Sequence, residues 1–309
     1  MTDIVGKRHW YFLISALVIV PGLVAMGISV ARFGSPLRTS IDFTGGALME
    51  LAFEQEVQPG LVRQVFVQRG YGDTVVQTTL DEKTVLIRSK ELKEGEKAEI
   101  QAELRDSFGP LTELRFDQVG PTVGREVTRS ATLAITAAAI VIMGFIIFSW
   151  RKVPHALRYG VCATIATLHD VLVTMGIFSI MGLLLGWEAD ALFLTAMLTV
   201  TGFSVQDTIV VFDRIRENIP KRRGEPYEQI VNRSLLETVH RSLATQLNAI
   251  FILVAILFFG GATIQQFIAT LLVGLISGTY SSIFTAAPLL VVWERGEIRN
   301  LFRRSQARV

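Results

Sequence analysis

Charged residues and cysteine are scarce in this sequence. Aspartate, glutamate, lysine and arginine make up 19% of the 309 residues, against roughly 25% in a typical soluble domain. Half of the residues (50%) are hydrophobic, and the mean hydropathy is +0.44. That leaves too little charge to cover a soluble surface of this size. Because Cys162 is the single cysteine, an internal disulfide and a cysteine-based metal site are excluded.

Common catalytic and nucleotide-binding motifs are missing as well. The sequence contains no P-loop, HExxH, GxSxG or dinucleotide fingerprint. Its four histidines, His9, His155, His169 and His240, show no spacing typical of metal ligands. These absences argue against a nucleotide-driven or zinc-driven mechanism, and we expect no metal or organic cofactor. The net charge of only +2 points to no nucleic-acid partner.

Long apolar runs are prominent instead. A helix needs about 20 mostly apolar residues to cross the hydrocarbon core of a bilayer. Six segments have about that length, at 10–31, 132–150, 157–184, 190–212, 243–260 and 265–292. We therefore predict a membrane α-helical bundle of six transmembrane helices.

The first apolar run also has some features of a signal peptide. Lys7 and Arg8 precede it, and Ser29-Val30-Ala31 resembles a cleavage site. Its apolar stretch exceeds the roughly 7–15 residues of a typical signal peptide. We expect a retained transmembrane helix at 10–31 after a cytoplasmic N-terminus at 1–9.

The basic residues predict the orientation of the chain. Lysine and arginine are enriched in cytoplasmic loops. They cluster at both termini and in the second and fourth loops, and are absent from the short loops Gly186–Asp190 and Gly261–Gln265. Both termini are then cytoplasmic, with a five-helix transmembrane domain at 132–293 and a basic cytoplasmic tail at 294–309. The long 32–131 segment is extracytoplasmic, because long loops are translocated largely regardless of charge.

The 32–131 segment shows the pattern of a small α+β domain. Four strands are predicted, at Ala47–Phe53, Val75–Thr79, Thr84–Ser89 and Leu111–Phe116, with a hairpin turn at Asp81-Glu82. Two helices are predicted, at Pro59–Arg69 and Glu94–Ser107. The order βαββαβ is ferredoxin-like, a fold that by itself implies no function.

Three ionisable residues within or at the ends of the predicted spans stand out. Such residues are costly in a membrane and indicate function by default. They are Asp170 in the third span, Asp207 in the fourth and Arg241 at the start of the fifth. The fourth and fifth spans are joined on the cytoplasmic side, so Asp207 and Arg241 can be neighbours. A carboxyl group balanced between an apolar setting and a nearby arginine can load and release a proton.

Other interpretations of these residues stay open. Asp207 and Arg241 can form a static pair that fixes helix packing, and Arg241 can reach to the lipid headgroups. Asp170 can be a structural hydrogen-bond acceptor. Because Asp170 and Asp207 lie on consecutive spans, an intramembrane aspartyl protease is another alternative. Against it, Val205-Gln206 precedes Asp207, where such proteases have Gly-x-Gly before one catalytic aspartate.

Four stretches resemble motifs of the SecF family, within the SecD/SecF group of RND-type membrane proteins. They are Ile41–Gly46, Val119–Glu126, His169-Asp170-Val171 and the long run Gly202–Asn218. The chain departs from the usual family pattern at Ser40, Phe203 and Gln206, where that family has Gly, Tyr and Asn. Gln206 keeps an amide next to Asp207, whereas Ser40 puts a special backbone conformation there in doubt.

This resemblance implies a function that residue patterns alone do not reveal. SecF acts with SecD beside the SecYEG channel, in the bacterial inner membrane, and uses the proton-motive force to help pull unfolded preproteins outward. It is not an enzyme, its coupling ion is the proton, and YajC is a further partner. The alternative within the same family is a structural subunit that holds SecD without a proton role of its own. The basic tail can also meet anionic membrane lipids.

The resemblance also assigns residues. Asp207 and Arg241 match proton-pathway positions of the family, and Asp170 matches a family motif. The remaining motif residues are Asp42, Gly45, Gly46, Gly202, Asp213 and Arg214. The 41–46 stretch has two interpretations, a glycine turn at a strand entry or a contact with substrate. Since the family's fuller site includes a SecD carboxylate, we expect this chain alone to be an incomplete proton conductor.

Overall fold

The structure is a computed structural model that describes residues 3–78, 83–149 and 156–296. It divides into two compact units. The sheet unit comprises Thr39–Leu133, and the helical unit comprises the described residues before Thr39 and after Leu133. The predicted turn at Asp81-Glu82 and positions 297–309 of the predicted tail lie outside the described residues.

Helices and strands alternate in the sheet unit and give way to long helices after it. In chain order the elements are α1 (Arg8–Phe33), α2 (Ile41–Thr44), β1 (Gly46–Phe53), α3 (Pro59–Gln68), β2 (Val75–Thr78), β3 (Thr84–Ser89), α4 (Glu96–Phe108), β4 (Leu111–Val119), α5 (Pro121–Ser149), α6 (Ala156–Leu185), α7 (Ala191–Lys221), α8 (Tyr227–Phe259), α9 (Ala262–Ser281) and α10 (Ala287–Glu294). A five-residue π-helical segment, Ser282–Ala286, separates α9 from α10.

The four strands form one antiparallel sheet in the order β2-β3-β1-β4. In the central strand β1, Met49 lies opposite Ile87 of β3 and Phe116 of β4. Alternate residues of β1 are buried, as expected when one face of a sheet packs on a core. The βαββαβ prediction is confirmed.

The two longer helices of the sheet unit, α3 and α4, share a core with the sheet. Phe66 of α3 and Leu104 of α4 are fully buried in the cluster that also contains Met49. The Lys97 Nζ of α4 donates a hydrogen bond to the Glu113 carboxylate of β4 at 2.8 Å and so lowers the pKa of that carboxyl. This polar contact joins the last helix to an edge strand.

The described residues contain six helices long and apolar enough to cross a membrane. Their bounds are Val5–Phe33, Pro121–Phe148, Leu157–Leu185, Ala191–Lys221, Tyr227–Phe259 and Ile264–Glu294. The prediction of a six-helix membrane bundle is confirmed. Several helices extend beyond the predicted apolar segments. Helix α7 continues to Lys221, nine residues beyond the predicted end at 212. Its polar end is stabilised by one ion pair within α7 and by another with α8.

Polar contacts gather the predicted cytoplasmic segments at one end of the helical unit. The backbone N–H of Ile4 donates to Asn232 Oδ1 of α8 at 2.8 Å, and the Arg8 guanidinium pairs with Glu228 at 3.2 Å. At the other end, the Ala189 N–H donates to the Arg38 carbonyl at 2.7 Å. The start of α1 and the α7–α8 hairpin therefore lie on the same side, as the predicted topology requires.

Small residues let the inner helices approach closely. A Cβ on Gly22 of α1 would lie 2.7 Å from the Cα of Gly176 on α6. A Cβ on Gly274 of α9 would overlap the Val200 side chain of α7. Small residues at helix contacts are characteristic of membrane bundles, where packing replaces the hydrophobic effect. By contrast, only 6% of the apolar window of α5 and 11% of that of α8 is buried, against 44% in α6 and α7, so α5 and α8 are peripheral.

Candidate functional site

The Asp170 carboxylate is the most completely enclosed acidic group of the helical unit. Asp170 lies in the middle of α6 and is 0% exposed. Three serine hydroxyls donate hydrogen bonds to it, each at 2.6 Å: Ser204 of α7 and Ser281 of α9 to Oδ2, and Ser277 of α9 to Oδ1. We call Ser204, Ser277 and Ser281 the serine cluster. One carboxylate thus joins α6, α7 and α9.

Asp170 has a fourth partner, the neighbouring His169. The His169 Nδ1 lies 3.0 Å from Asp170 Oδ1. An ionised carboxylate offers roughly four lone-pair positions for hydrogen bonds, and the serine cluster with His169 fills them. Hydrogen bonds to a charged group are stronger than neutral ones, at about 1.5–3 kcal/mol each. Every acceptor position of the Asp170 carboxylate is therefore occupied.

His169 extends the network to α1. Its Nε2 lies 2.9 Å from the Ser15 hydroxyl. The Tyr280 ring of α9 stacks on the imidazole, with centroids 6.1 Å apart and planes at 19°. The Tyr280 hydroxyl donates to the Tyr11 carbonyl of α1 at 2.7 Å. Four helices, α1, α6, α7 and α9, are thus connected through one histidine–aspartate pair.

Asp207 lies on α7, one turn after Ser204. It is 6% exposed and belongs to a buried stripe that includes Ser204, Thr208 and Val211; the spacing of three and four residues places this stripe on one helix face. The Gln246 side-chain amide of α8 donates to Asp207 Oδ2 at 2.7 Å. This face of α7 therefore places Ser204 against Asp170 of α6 and the Asp207 carboxylate against Gln246 of α8.

Arg241 lies apart from these two carboxylates. Its side chain is exposed, and its carbonyl accepts a hydrogen bond from the Thr245 hydroxyl at 3.0 Å. Across the described parts of the chain, no ion pair or hydrogen bond joins Arg241 to Asp207. Arg241 precedes Gln246 by five residues of α8, or roughly 7.5 Å along a helix that rises about 1.5 Å per residue. In this conformation the amide of Gln246, and not the guanidinium, neighbours Asp207.

The threonines on the Asp170 face of α6 do not bond its carboxylate. The hydroxyls of Thr164, Thr167 and Thr174 each donate to a carbonyl one turn earlier in α6. Sequence reasoning did not identify the hydroxyl partners of Asp170 or the Gln246 partner of Asp207. The polar residues within the apolar runs 243–260 and 265–292 were the sequence feature that pointed to such partners.

The two membrane carboxylates share no hydrogen bond. Each of the acceptor positions of Asp170 is occupied by the serine cluster and His169, and Asp207 is bonded to Gln246. An aspartyl protease needs two carboxylates close enough to share one proton. This arrangement is incompatible with that chemistry.

A π-helical segment begins directly after Ser281. It covers Ser282–Ala286 and is largely buried. Single turns of π-helix are rare in proteins overall, but those that occur often lie at functional sites. Here the irregular turn lies next to the serine cluster, at the junction of α9 and α10.

The glycines of the 41–46 stretch have a structural role. Gly45 has φ of 72° and Gly46 of 122°, conformations that L side chains rarely adopt. A Cβ on Gly45 would lie 2.9 Å from Pro121 Cα, and one on Gly124 would lie 2.8 Å from Gly45 N. Asp42, in turn, donates its backbone N–H to the Ser40 hydroxyl at 3.2 Å. The geometry supports the interpretation as a glycine turn, in which two motif stretches meet backbone to backbone.

The remaining motif residues lie on α7. Arg214 pairs with Glu237 of α8 at 2.6 Å and with Glu217 at 2.9 Å, whereas Asp213 pairs with Arg216 at 2.5 Å. These pairs are partly exposed, and the Arg214–Glu237 pair joins the polar ends of α7 and α8. A Cβ on Gly202 would meet no atom within 4 Å, so close packing within this chain does not explain a glycine there.

The described residues hold no group of three or more histidine, cysteine, aspartate or glutamate side chains that could bind a metal ion. What they bring together is one hydrogen-bonded set of the Asp170 carboxylate, serine hydroxyls and an imidazole, with the Asp207 carboxylate one turn beyond Ser204 on α7. Such groups can hold or pass protons.

Comparison with known proteins decides the family. The family model described as "Protein export membrane protein SecD/SecF, C-terminal" matches residues 99–296. The chain belongs to the SecD/SecF family. It is 48% identical to the protein translocase subunit SecF of Thermobaculum terrenum over 99% of this chain and 98% of that protein. It is also 48% identical to the SecF subunit of Anaerolinea thermophila, with 98% of each chain covered.

Solved structures agree with this assignment. SecDF of Thermus thermophilus, a translocon-associated membrane protein, aligns with a TM-score of 0.77 and 31% identity over 95% of this chain. SecDF in its super-membrane-facing form aligns with a TM-score of 0.65 and 29% identity over 99% of this chain. The chain spans about two fifths of these SecDF chains, 39% and 40% respectively. The fold predicted from the sequence, a membrane helical bundle with a small sheet domain, is that of this family.

Proposed function

We propose that this chain is the SecF subunit of a bacterial protein-export apparatus and acts with SecD to drive late preprotein translocation with the proton-motive force. The observation that carries the proposal is the buried pair of carboxylates, Asp170 and Asp207, within a six-helix bundle that resembles SecDF. Buried ionisable groups are costly in a membrane and typically mark ion or proton pathways. In this proposal Asp207, Asp170 and Arg241 form the part of the proton pathway that this chain supplies.

Arg241 enters this pathway through a change of conformation. It lies on the same helix as Gln246, the present partner of Asp207. A rearrangement of α8 against α7 that brings Arg241 beside Asp207 would replace the neighbouring amide with a guanidinium. A nearby positive charge favours the ionised carboxylate, so the exchange would expel a proton from Asp207.

Partners and location follow from the same proposal. SecD supplies the remaining carboxylate, SecYEG delivers the unfolded preprotein, and YajC is a further partner. The sheet unit lies outside the inner membrane, where it can contact an emerging chain, and both termini are cytoplasmic. The gathering of the start of α1 and the α7–α8 hairpin at one end of the helical unit supports this orientation.

The test is export of a preprotein into membrane vesicles that contain this chain and its SecD partner, with and without a proton gradient. We expect Asp207→Asn to abolish the gradient-dependent part of export, because the amide cannot bind and release a proton. Asp190→Asn is the matched control on the same helix: Asp190 caps the N-terminus of α7 by accepting the Phe193 N–H at 2.7 Å, and asparagine caps equally well. Unchanged gradient dependence in an Asp207→Asn variant that still binds SecD would leave this chain as a structural subunit.

A further inference from the structure

The His169–Asp170 pair contains a titratable group that the proposed pathway does not use. His169 is 8% exposed and lies at the centre of the helical unit. Both ring nitrogens have partners within hydrogen-bonding distance, Asp170 Oδ1 at 3.0 Å and the Ser15 hydroxyl at 2.9 Å. Histidine is the side chain whose ordinary charge change falls nearest to neutral pH.

The Asp170 carboxylate is arranged as a hydrogen-bond acceptor. The hydroxyls of Ser204, Ser277 and Ser281 all donate to it at 2.6 Å. Together with His169 they fill its acceptor positions. A fully hydrogen-bonded carboxylate therefore lies directly beside the imidazole.

His169 can accept a proton at Nε2. In the neutral tautomer that donates its Nδ1 hydrogen to Asp170, Nε2 accepts from the Ser15 hydroxyl. A hydroxyl can act as donor or acceptor by rotation about its C–O bond. After a proton adds to the Nε2 lone pair, the Ser15 oxygen accepts from the new N–H, and the hydrogen bonds of the serine cluster to Asp170 are unchanged.

The groups that face the pair are consistent with this role. From α1 come the Ser15 hydroxyl and the Tyr11 carbonyl, and from α9 two serines and the Tyr280 ring, whose hydroxyl is a further hydrogen-bond partner of Ser15. From α7 come Ser204 and, one turn beyond it, Asp207. The π segment contributes no ionisable side chain. Among the described residues, neither member of the pair has an ion pair or hydrogen bond with lysine or arginine, so the charges nearest to the imidazole are carboxylates.

We propose that His169 is a proton-binding residue of the membrane core, which takes up a proton at Nε2 while Asp170 stays ionised as its counter-ion. This inference rests on the proposed function and refines it: Asp170 then positions and stabilises the imidazolium and does not carry the proton. The imidazole is connected to Ser15 of α1 and, through Asp170 of α6, to the serine cluster on α7 and α9. A change in its charge therefore affects contacts of all four helices.

The experiment measures the protonation of His169 in the intact complex of this chain with SecD, in lipid bilayers. The other three histidines of the chain, His9, His155 and His240, are replaced by glutamine, and histidine ring nitrogens are labelled with ¹⁵N for solid-state NMR. The signal that disappears in His169→Gln belongs to His169. We expect it to convert from imidazole to imidazolium as the pH is lowered between about pH 8 and about pH 5.

Asp170→Asn is the decisive variant. It removes the counter-ion and keeps a hydrogen-bonding oxygen, so we expect the imidazolium signal to be lost over that pH range. A His169 ring that stays neutral at every pH in the wild-type complex would overturn the proposal. Conversion at the same pH in Asp170→Asn would overturn it too, because Asp170 would then not be the counter-ion.

The same complex separates this inference from the proposed function. If His169 binds the working proton, His169→Gln vesicles lose the pH dependence of gradient-driven export that wild-type vesicles show. If wild-type vesicles show no gradient-driven export at all, the proposed function fails, while the NMR titration still decides whether His169 binds a proton beside Asp170.

Discussion

At the residue scale, the membrane core is organised by the pairing of small hydroxyls with one carboxylate. Ser204, Ser277 and Ser281 come from two helices and meet on Asp170 from α6. A buried charge is tolerated in an apolar setting only when hydrogen bonds replace its hydration. The serine cluster supplies these bonds without introducing a second charged side chain.

Removing one of these hydroxyls should destabilise the bundle. We expect Ser281→Ala to lower the free energy of unfolding by about 1–3 kcal/mol, the usual cost when a buried acceptor loses a donor. Ser282→Ala is the matched control, because the adjacent Ser282 is also fully buried but donates to the Thr279 carbonyl and not to Asp170. The measurement is thermal unfolding of the purified protein in detergent. Equal losses in the two variants would contradict a special role of the carboxylate contact.

Sequence reasoning could find the carboxylates but not their partners. Asp170 and Asp207 stand out because a charge within an apolar run is rare. Ser277, Ser281 and Gln246 do not stand out, since uncharged polar residues occur throughout membrane helices and can bond their own backbone. Which of them turns toward a carboxylate depends on the rotation and spacing of neighbouring helices, and a single sequence does not contain that information.

At the element scale, glycine residues determine how closely α1 and α6 approach each other. The contact of α1 with α6 runs through Gly22 and Gly176, where a Cβ on either would lie within 2.8 Å of the other's Cα. The same two helices carry Ser15 and His169, which are 2.9 Å apart. The glycine contact therefore holds the two helices at the distance that the Ser15–His169 hydrogen bond requires.

A larger side chain at this contact should separate α1 from α6. We expect Gly176→Leu to destabilise the helical unit by about 1–3 kcal/mol through overpacking and to lengthen the Ser15–His169 hydrogen bond. Gly27→Leu is the control on α1, because a Cβ at Gly27 meets nothing within 4 Å. Thermal unfolding reports the first effect, and the ¹⁵N shift of His169 Nε2 reports the second. No difference between the two variants would show that the helices are not held at the glycine contact.

The helix boundaries show which features the apolar composition predicts and which it does not. The apolar runs predicted the existence of all six long helices, since a helix of about 20 apolar residues is long enough to span the bilayer. They underestimated the lengths of α7 and α8, which extend through polar sequence because ion pairs such as Arg214–Glu237 hold the two helix ends together. The π segment at Ser282–Ala286 had no signal in the apolar pattern.

At the scale of the whole molecule, the polar contacts of the helical unit agree with the orientation proposed for the chain. The single cysteine, Cys162, is 0% exposed, so the native chain offers no reactive thiol. Lys90 in the sheet unit and Lys221 at the end of α7 are exposed, at 73% and 65% of their side-chain surfaces. They are therefore suitable sites for mapping the two sides of the membrane.

Labelling with a membrane-impermeant maleimide tests this orientation. In spheroplasts we expect Lys90→Cys to be labelled directly and Lys221→Cys only after the membrane is permeabilised. The protein with Cys162 alone serves as the control and should remain unlabelled in both conditions. The reverse pattern would place the sheet unit in the cytoplasm and contradict the proposed contact with emerging preproteins.

The enclosure of Asp170 also constrains the order of biogenesis. Helix α6 is synthesised before α7 and α9, so its carboxylate enters the bilayer without the serine cluster. An aspartate at the centre of an inserting helix costs about 2.5–3.5 kcal/mol, and each Leu, Ile, Phe or Val contributes about −0.3 to −0.6 kcal/mol. The apolar residues of α6, where the mean hydropathy is 1.9, offset that cost. The polar core closes only when α9, the last long helix, delivers Ser277 and Ser281. A nascent chain truncated before α9 retains an intramembrane carboxylate that lacks two of its four hydrogen-bond partners, which distinguishes it chemically from the finished protein.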